Sequence, residues 1–313
     1  MKVSLYTLLS KQSHDAVIVV MQWINKVIVA LTVLSTTTFV WAQLPIDLGD
    51  ANEFTLLGAG PGASATSGLM QLGSEAIIHG NVGGRGYSSL GSGVEIHGDL
   101  ITGGYVSAGA GISISGINQN RNTMYWNGVY DDLVNASESA RLLGGAVISS
   151  IDSTTVLFAN GGLSVFDIDG SIKLGGGESL TISGNATDSV IINVSGQLEL
   201  GSQAAILLDG VTADNVMFNF YGAGNDDAAW NNHLATIIGG AEFSGTFIAP
   251  RAYWQIGDGA IMNQTRILAN GIQGNFQTVR GIDPSNLVPE PGSLFLLAMG
   301  MLGMFTSRRK PAR

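Results

Sequence analysis

Short β-rich runs separated by glycine fill the middle of the chain, as in Ile112-Ser113-Ile114-Ser115 and Val190-Ile191-Ile192-Asn193-Val194. Apolar positions alternating with small polar ones over so few residues predict short strands joined by tight turns. One pattern recurs at a fixed interval. Ile78-His79-Gly80-Asn81-Val82 returns as Ile96-His97-Gly98-Asp99-Leu100 and again as Ile114-Ser115-Gly116-Ile117-Asn118, each 18 residues on. A period this short predicts the coils of a β-solenoid, each stacked about 4.8 Å above the last, with Ile78, Ile96 and Ile114 in one interior ladder. Farther along, Ile168-Asp169-Gly170, Ile182-Ser183-Gly184, Val194-Ser195-Gly196 and Leu208-Asp209-Gly210 repeat an apolar-polar-glycine unit every 12 to 14 residues, which reads as a set of less regular coils.

The period changes between Gln119 and Leu143. Trp126, Val129, Tyr130, Leu133, Ala136, Ala140 and Leu143 follow a spacing of three to four and predict one face of a helix over 119–143, with Gly144 and Gly145 as its stop. A single amphipathic helix in a solenoid sequence is expected to lie along the solenoid and bury its aromatic face there. Asp131, Asp132 and Glu138 make its polar side acidic, where a membrane-surface helix is basic.

Two apolar stretches lie outside this scheme. Lys26 precedes Val27 to Val40, and Val40-Trp41-Ala42 places small residues before Gln43, so residues 1–42 read as a signal peptide cleaved between Ala42 and Gln43 by signal peptidase. The leader is long, and Met21 opens a segment of ordinary signal-peptide length, which makes Met21 the expected initiator. At the other end, Pro289-Glu290-Pro291 holds an extended, donor-poor backbone. It is followed by the apolar run Leu294 to Phe305 and by Arg308, Arg309, Lys310 and Arg313. That run falls short of the roughly 20 residues of a comfortable transmembrane helix. The basic residues after it would stay cytoplasmic, which predicts transient inner-membrane insertion through the C-terminal segment with everything upstream outside. The expected organisation is a leader at 1–42, a solenoid domain at 43–280 that includes the helix, a linker at 281–288 and a sorting tail at 289–313.

Charge sharpens the reading of the body. Between residues 43 and 291 stand seven basic and 23 acidic side chains, a net charge of −16. Such a surface repels nucleic acid and anionic membranes and suits solvation in an extracellular matrix. Cysteine is absent from the sequence, so stability rests on a core large enough to stand alone.

Candidate chemistry is sparse. His79 and His97 are expected to stack on neighbouring coils, as a polar ladder rather than a metal pair. Asp226-Asp227 and Asp167-Ile168-Asp169-Gly170 carry oxygens but lack the spacing of a calcium loop and read as turns. Gly83-Gly84-Arg85-Gly86 and Gly175-Gly176-Gly177 lack the context of a phosphate loop. No catalytic residue, metal site or cofactor is therefore expected, although coiling could bring two carboxylates together as in a glycosidase. Threonines 154, 155, 181, 187, 212, 236, 246 and 265 show no fixed spacing, and Trp230, His233, Tyr253 and Trp254 add bulk.

The order Pro-Glu-Pro, apolar helix, basic end closely resembles the PEP-CTERM sorting signal of Gram-negative bacteria, with Pro289, Glu290, Pro291, Arg308 and Arg309 as its defining residues. That resemblance implies processing near Pro289 to Pro291 by an exosortase, with release or transfer to the cell surface. Phe54-Thr55-Leu56-Leu57-Gly58, His79-Gly80-Asn81-Val82-Gly83, the helix at 119–143, Asn215-Val216-Met217-Phe218-Asn219-Phe220 and Gly245-Thr246-Phe247-Ile248-Ala249-Pro250 resemble bacterial ice-binding-like β-solenoid domains and, equally, choice-of-anchor type A domains. The resemblance implies a mainly β fold: a discontinuous β-solenoid (β-helix) with one long flanking α-helix, the segments before and after the helix completing one stack. The resulting expectation is a non-enzymatic protein of the cell surface or extracellular matrix, adhesive or structural within extracellular polysaccharide. Its rivals are an ice-binding protein and a polysaccharide-acting enzyme.

Overall fold

The computed structural model describes residues 44–62, 65–222 and 234–282, all within one compact unit, Ala42–Arg313. The leader, the cleavage pair Ala42 and Gln43, Asp226 and Asp227, Trp230 and His233, and the tail with Pro289, Glu290, Pro291, Arg308 and Arg309 lie outside the described residues. No helix among the described residues is long and apolar enough to cross a membrane, and the apolar run at 294–305 is not among them.

The strands pair in parallel, coil on coil, into three faces of one solenoid. The predicted 18-residue register is present: Ile78 pairs with Ile96 and Ile96 with Ile114. The apolar-polar-glycine unit has a steric reason. A Cβ on Gly98 would stand 2.5 Å from the backbone of Gly80, and one on Gly116 would stand 2.7 Å from Gly98. Successive corners therefore touch main chain to main chain, and any side chain there would push the coils apart.

The second half follows a different period. Ile168 pairs with Val194, Val194 with Phe220, and Ile182 with Leu208, each 26 residues apart. The 12-to-14-residue spacing therefore counts corners, two to a coil, and not coils as the sequence reading had it. The wider coils enclose larger side chains. Phe218 stacks on Phe247 at 4.8 Å, and Phe243 and Trp254 meet Phe247 edge to face. Trp254 is thus an interior residue and not part of a surface.

The stack is discontinuous in sequence. Strand Phe54–Gly58 lies between strand Asn81–Gly84 and the late strand Ile261–Gly274, with Leu57 opposite Leu268. Thr278–Arg280 pairs with Ile77–His79 in the same way. The narrow coils before the helix thus continue into the wide coils after it through segments about 200 residues apart in the chain.

Helix α1 (Thr123–Leu142) lies along one face of the stack. It begins four residues later than its periodicity predicts. Asn122 caps it by accepting from the Tyr125 amide at 3.0 Å, and Asn118–Asn120 instead extend the sheet by pairing with Leu100–Thr102. Gly144, at φ +60°, follows its end. Trp126, Val129, Leu133, Ala136 and Ala140 are buried against Ile101, Leu57, Leu268, Ile248, Met217 and Ile191, which point outward from successive coils. Tyr130 is only half-buried and Leu143 is exposed, so the buried stripe is narrower than predicted.

Ser137 belongs to that stripe and meets a buried polar ladder. Asp167, Asn193 and Asn219 occupy one outward position on three coils. Asn219 Nδ2 donates to Asn193 Oδ1 at 2.9 Å and Asn193 Nδ2 to Asp167 Oδ1 at 3.0 Å. Ser137 Oγ donates to Asn219 Oδ1 at 2.6 Å, while Asn219 and Asn193 donate to the Ser137 and Ala140 carbonyls. These bonds fix the helix in register along the solenoid, which apolar packing alone would let slide. Asp167 is therefore a strand residue of this ladder and not a turn ligand.

Candidate functional site: the uncovered faces

With one face under the helix, two sheets remain open to solvent. The first carries the predicted histidine pair. His79 and His97 stack with ring centroids 4.8 Å apart and planes 9° apart, and Arg280 precedes them in the same row. His97 Nε2 lies 3.5 Å from Glu95 Oε2. Parallel rings one coil apart do not converge on a single ion, whose ligand distances are about 2.0–2.1 Å. The pair is a polar surface ladder.

The second face is built from strands Val106–Ala108, Ser88–Leu90 and Met70–Leu72, the ends of Ile261–Gly274 and Glu242–Ile256, then Leu234–Ile237, Leu198–Leu200 and Ile172–Leu174. Strand alternation turns the flanking apolar residues inward and one residue per coil outward. The outward row reads Ser107, Ser89, Gln71, Gln273, Gln255, Thr236, Glu199 and Lys173. Three glutamines on consecutive coils thus form an amide ladder along the middle of the sheet. Beside them runs a groove of about 540 Å³ lined by Gln71, Gln273, Gln255, Thr236, Asp258 and Asn275 among others.

Aromatic side chains border the same row. Tyr87 and Tyr105, each two positions before a serine of the ladder, stack at 6.0 Å with planes 8° apart, and both are exposed. Tyr253 is largely buried two positions before Gln255. Its hydroxyl donates to Gln273 Oε1 across the gap left by Gly271, and burial pushes its pKa up to about 12. At the far end, Lys173 Nζ and Glu199 Oε1 pair at 2.8 Å, so the row ends in a neutralised couple.

Nothing in the sequence pattern singled out this ladder. Gln255 and Gln273 are 18 residues apart, a usable signal, but Gln71 adjoins Gln273 only because the late coils stack on the early ones. The threonines behave as their irregular spacing suggests. Among the described residues, every threonine in a strand register faces a residue other than threonine on the neighbouring coil. Thr246 and Thr265 are buried.

Comparisons with known proteins agree with this architecture. Solved structures similar to the chain include an ice-binding protein from the Antarctic ascomycete Antarctomyces psychrotrophicus, at 18% identity and a TM-score of 0.49, the match covering 76% of this chain and 98% of that one. A glycosylated ice-binding protein from an Arctic yeast matches at 18% identity and a TM-score of 0.48, covering 79% and 97%. An ice-binding protein of Shewanella frigidimarina matches at 16% and 0.44, covering 77% and 98%. No curated protein matches the sequence. Residues 287–310 match the PEP-CTERM protein-sorting motif, which implies exosortase processing during export to the cell surface or extracellular space of a Gram-negative bacterium. Residues 48–278 match the ice-binding-like adhesive domain, and the chain belongs to that family.

Proposed function

We propose that the mature protein, from Gln43 to the exosortase site at Pro289 to Pro291, is a non-enzymatic adhesin that holds neutral, hydroxyl-rich polysaccharide on its amide-bearing face. The observation that carries this reading is the Gln71, Gln273, Gln255 ladder with the exposed Tyr87 and Tyr105 pair on the same sheet. Each carboxamide offers two donors and an acceptor, which suits it to sugar hydroxyls, and coil stacking sets such groups at regular intervals of about 4.8 Å. Exposed tyrosine rings provide flat apolar area with a polar edge, the usual complement to the faces of a sugar ring. The excess of acidic side chains over the body disfavours polyanions, which leaves uncharged glycans as the matching class. The family's adhesive character supports the reading, as does the sorting motif, which would bring the domain to the matrix it binds.

Ice binding is the second reading, favoured by the family and by the titles of the similar structures. The two part on surface chemistry. A crystal face is matched by short, repeated side chains, whereas long amides, a histidine ladder and a Lys173–Glu199 pair project here. Glycan-array binding measured beside ice-recrystallisation inhibition separates them. The adhesion reading expects saturable binding to neutral glycans and ice crystals that coarsen as in buffer. Inhibition of recrystallisation without glycan binding would replace it with the second reading.

A further inference from the structure

The helix-covered face holds one cation without a counter-charge. Arg266 projects outward from strand Ile261–Gly274, in a row with Thr246 and Met217 on the next coils, and only 2% of it is exposed. Its Nη1 donates to Asn52 Oδ1 at 2.6 Å, its Nε has no hydrogen-bond partner, and no carboxylate among the described residues lies within ion-pair distance. Burial lowers its pKa to about 10, with Asp214 opposing the shift. A desolvated guanidinium left unpaired is unfavourable unless a ligand completes it.

A pocket opens over this row. About 320 Å³ of space is floored by Met217, Thr246 and Arg266 and walled by Ile46, Asp47 and Asn52, with the apolar Leu44 and Pro45 at its side. That volume is at the small end of ligand sites and suits a molecule about the size of one monosaccharide. The lining combines a cation, an amide, a hydroxyl and a carboxylate on one side with apolar surface on the other. Asp47 already accepts from the Gly49 amide at 2.9 Å, and its remaining lone pairs can accept from hydroxyls.

We propose that this pocket binds a small hydroxylated carboxylate of the sugar-acid class, with the carboxylate on Arg266 and Asn52 and the hydroxyls toward Thr246 and Asp47. The source of the acid is either a free sugar acid or the uronic-acid end of a glycan chain, and only the second source rests on the adhesion reading. The site is separate from the amide ladder, which lies on another face of the solenoid.

The test uses the purified protein with arginine labelled by nitrogen-15 and sodium glucuronate as the probe. The Nε–H signal of Arg266, assigned from Arg266→Lys, is expected to shift saturably with glucuronate and to stay in place with equal glucose. Asn52→Asp places a carboxylate where the Asn52 oxygen already meets the guanidinium. It should keep the fold, raise the melting temperature and weaken glucuronate binding at least tenfold. Absence of a saturable shift in the parent protein, or unchanged affinity in a folded Asn52→Asp variant, overturns the proposal. A glucuronate-terminated oligosaccharide that shifts the same signal identifies a glycan end as the source, and a shift with the free acid alone identifies a small metabolite. Because neutral glycans are read on the other face, their loss with the Arg266 shift intact counts against adhesion and not against this pocket.

Discussion

At the scale of single residues, the interior ladder is the most exacting feature. Ile96 is 1% exposed and pairs above and below with Ile78 and Ile114. Ile96→Asp buries an unpaired charge between two apolar rungs and is expected to cost about 3–5 kcal/mol. A melting temperature equal to that of the parent would mean that the residue does not face inward. Tyr253 makes a different prediction. Its phenol titrates near 12 in the folded protein, against about 10 in an unfolded chain. Between those values the folded state keeps a proton that the unfolded state has lost, so stability falls as pH rises through that window. Tyr253→Phe should flatten part of that fall, read from urea midpoints at pH 9 and pH 11. The isoleucine ladder was legible in the sequence because its coils are contiguous and of equal length. Arg266 was not, since neither its burial nor its lack of a carboxylate leaves any trace in sequence spacing.

At the scale of elements, the helix depends on more than its apolar stripe. Asn219 holds Ser137 through two hydrogen bonds and Asn193 through a third, in a site closed to water. Asn219→Ala strands polar groups on both the helix and the sheet. It is expected to cost about 2–4 kcal/mol, and a double-mutant cycle with Ser137→Ala should show coupling above about 0.5 kcal/mol. Additive losses would indicate that the helix is held by packing alone. The helix itself was legible from its spacing of three to four. Its first turn was misplaced because the polar run Asn118–Asn120 pairs with Leu100–Thr102, a tertiary contact that overrides local periodicity. The wide coils were legible only as half-coils. Their corner glycines repeat twice per turn, so the most visible interval in the sequence is half the structural one.

At the scale of the whole molecule, the account joins an address to a surface. The tail matches a sorting motif, and we expect intact-mass analysis of secreted protein to give an N-terminus at Gln43 and loss of Leu294 to Arg313. Recovery of the full tail from the medium would contradict exosortase release. The architecture of the body was legible because repeat period, helix placement and composition all agreed on a discontinuous solenoid. The candidate site was not, because Gln71 and Gln273 become neighbours only when the two halves of the stack close on each other. That closure also suggests the most direct test. Affinity for a neutral polysaccharide selected from the glycan array should be compared between the parent protein and Gln71→Ala/Gln255→Ala/Gln273→Ala, three outward substitutions that leave the core untouched. We predict at least a tenfold loss of affinity with an unchanged melting temperature. Equal binding by a folded triple variant would contradict the claim that the amide ladder is the adhesive surface.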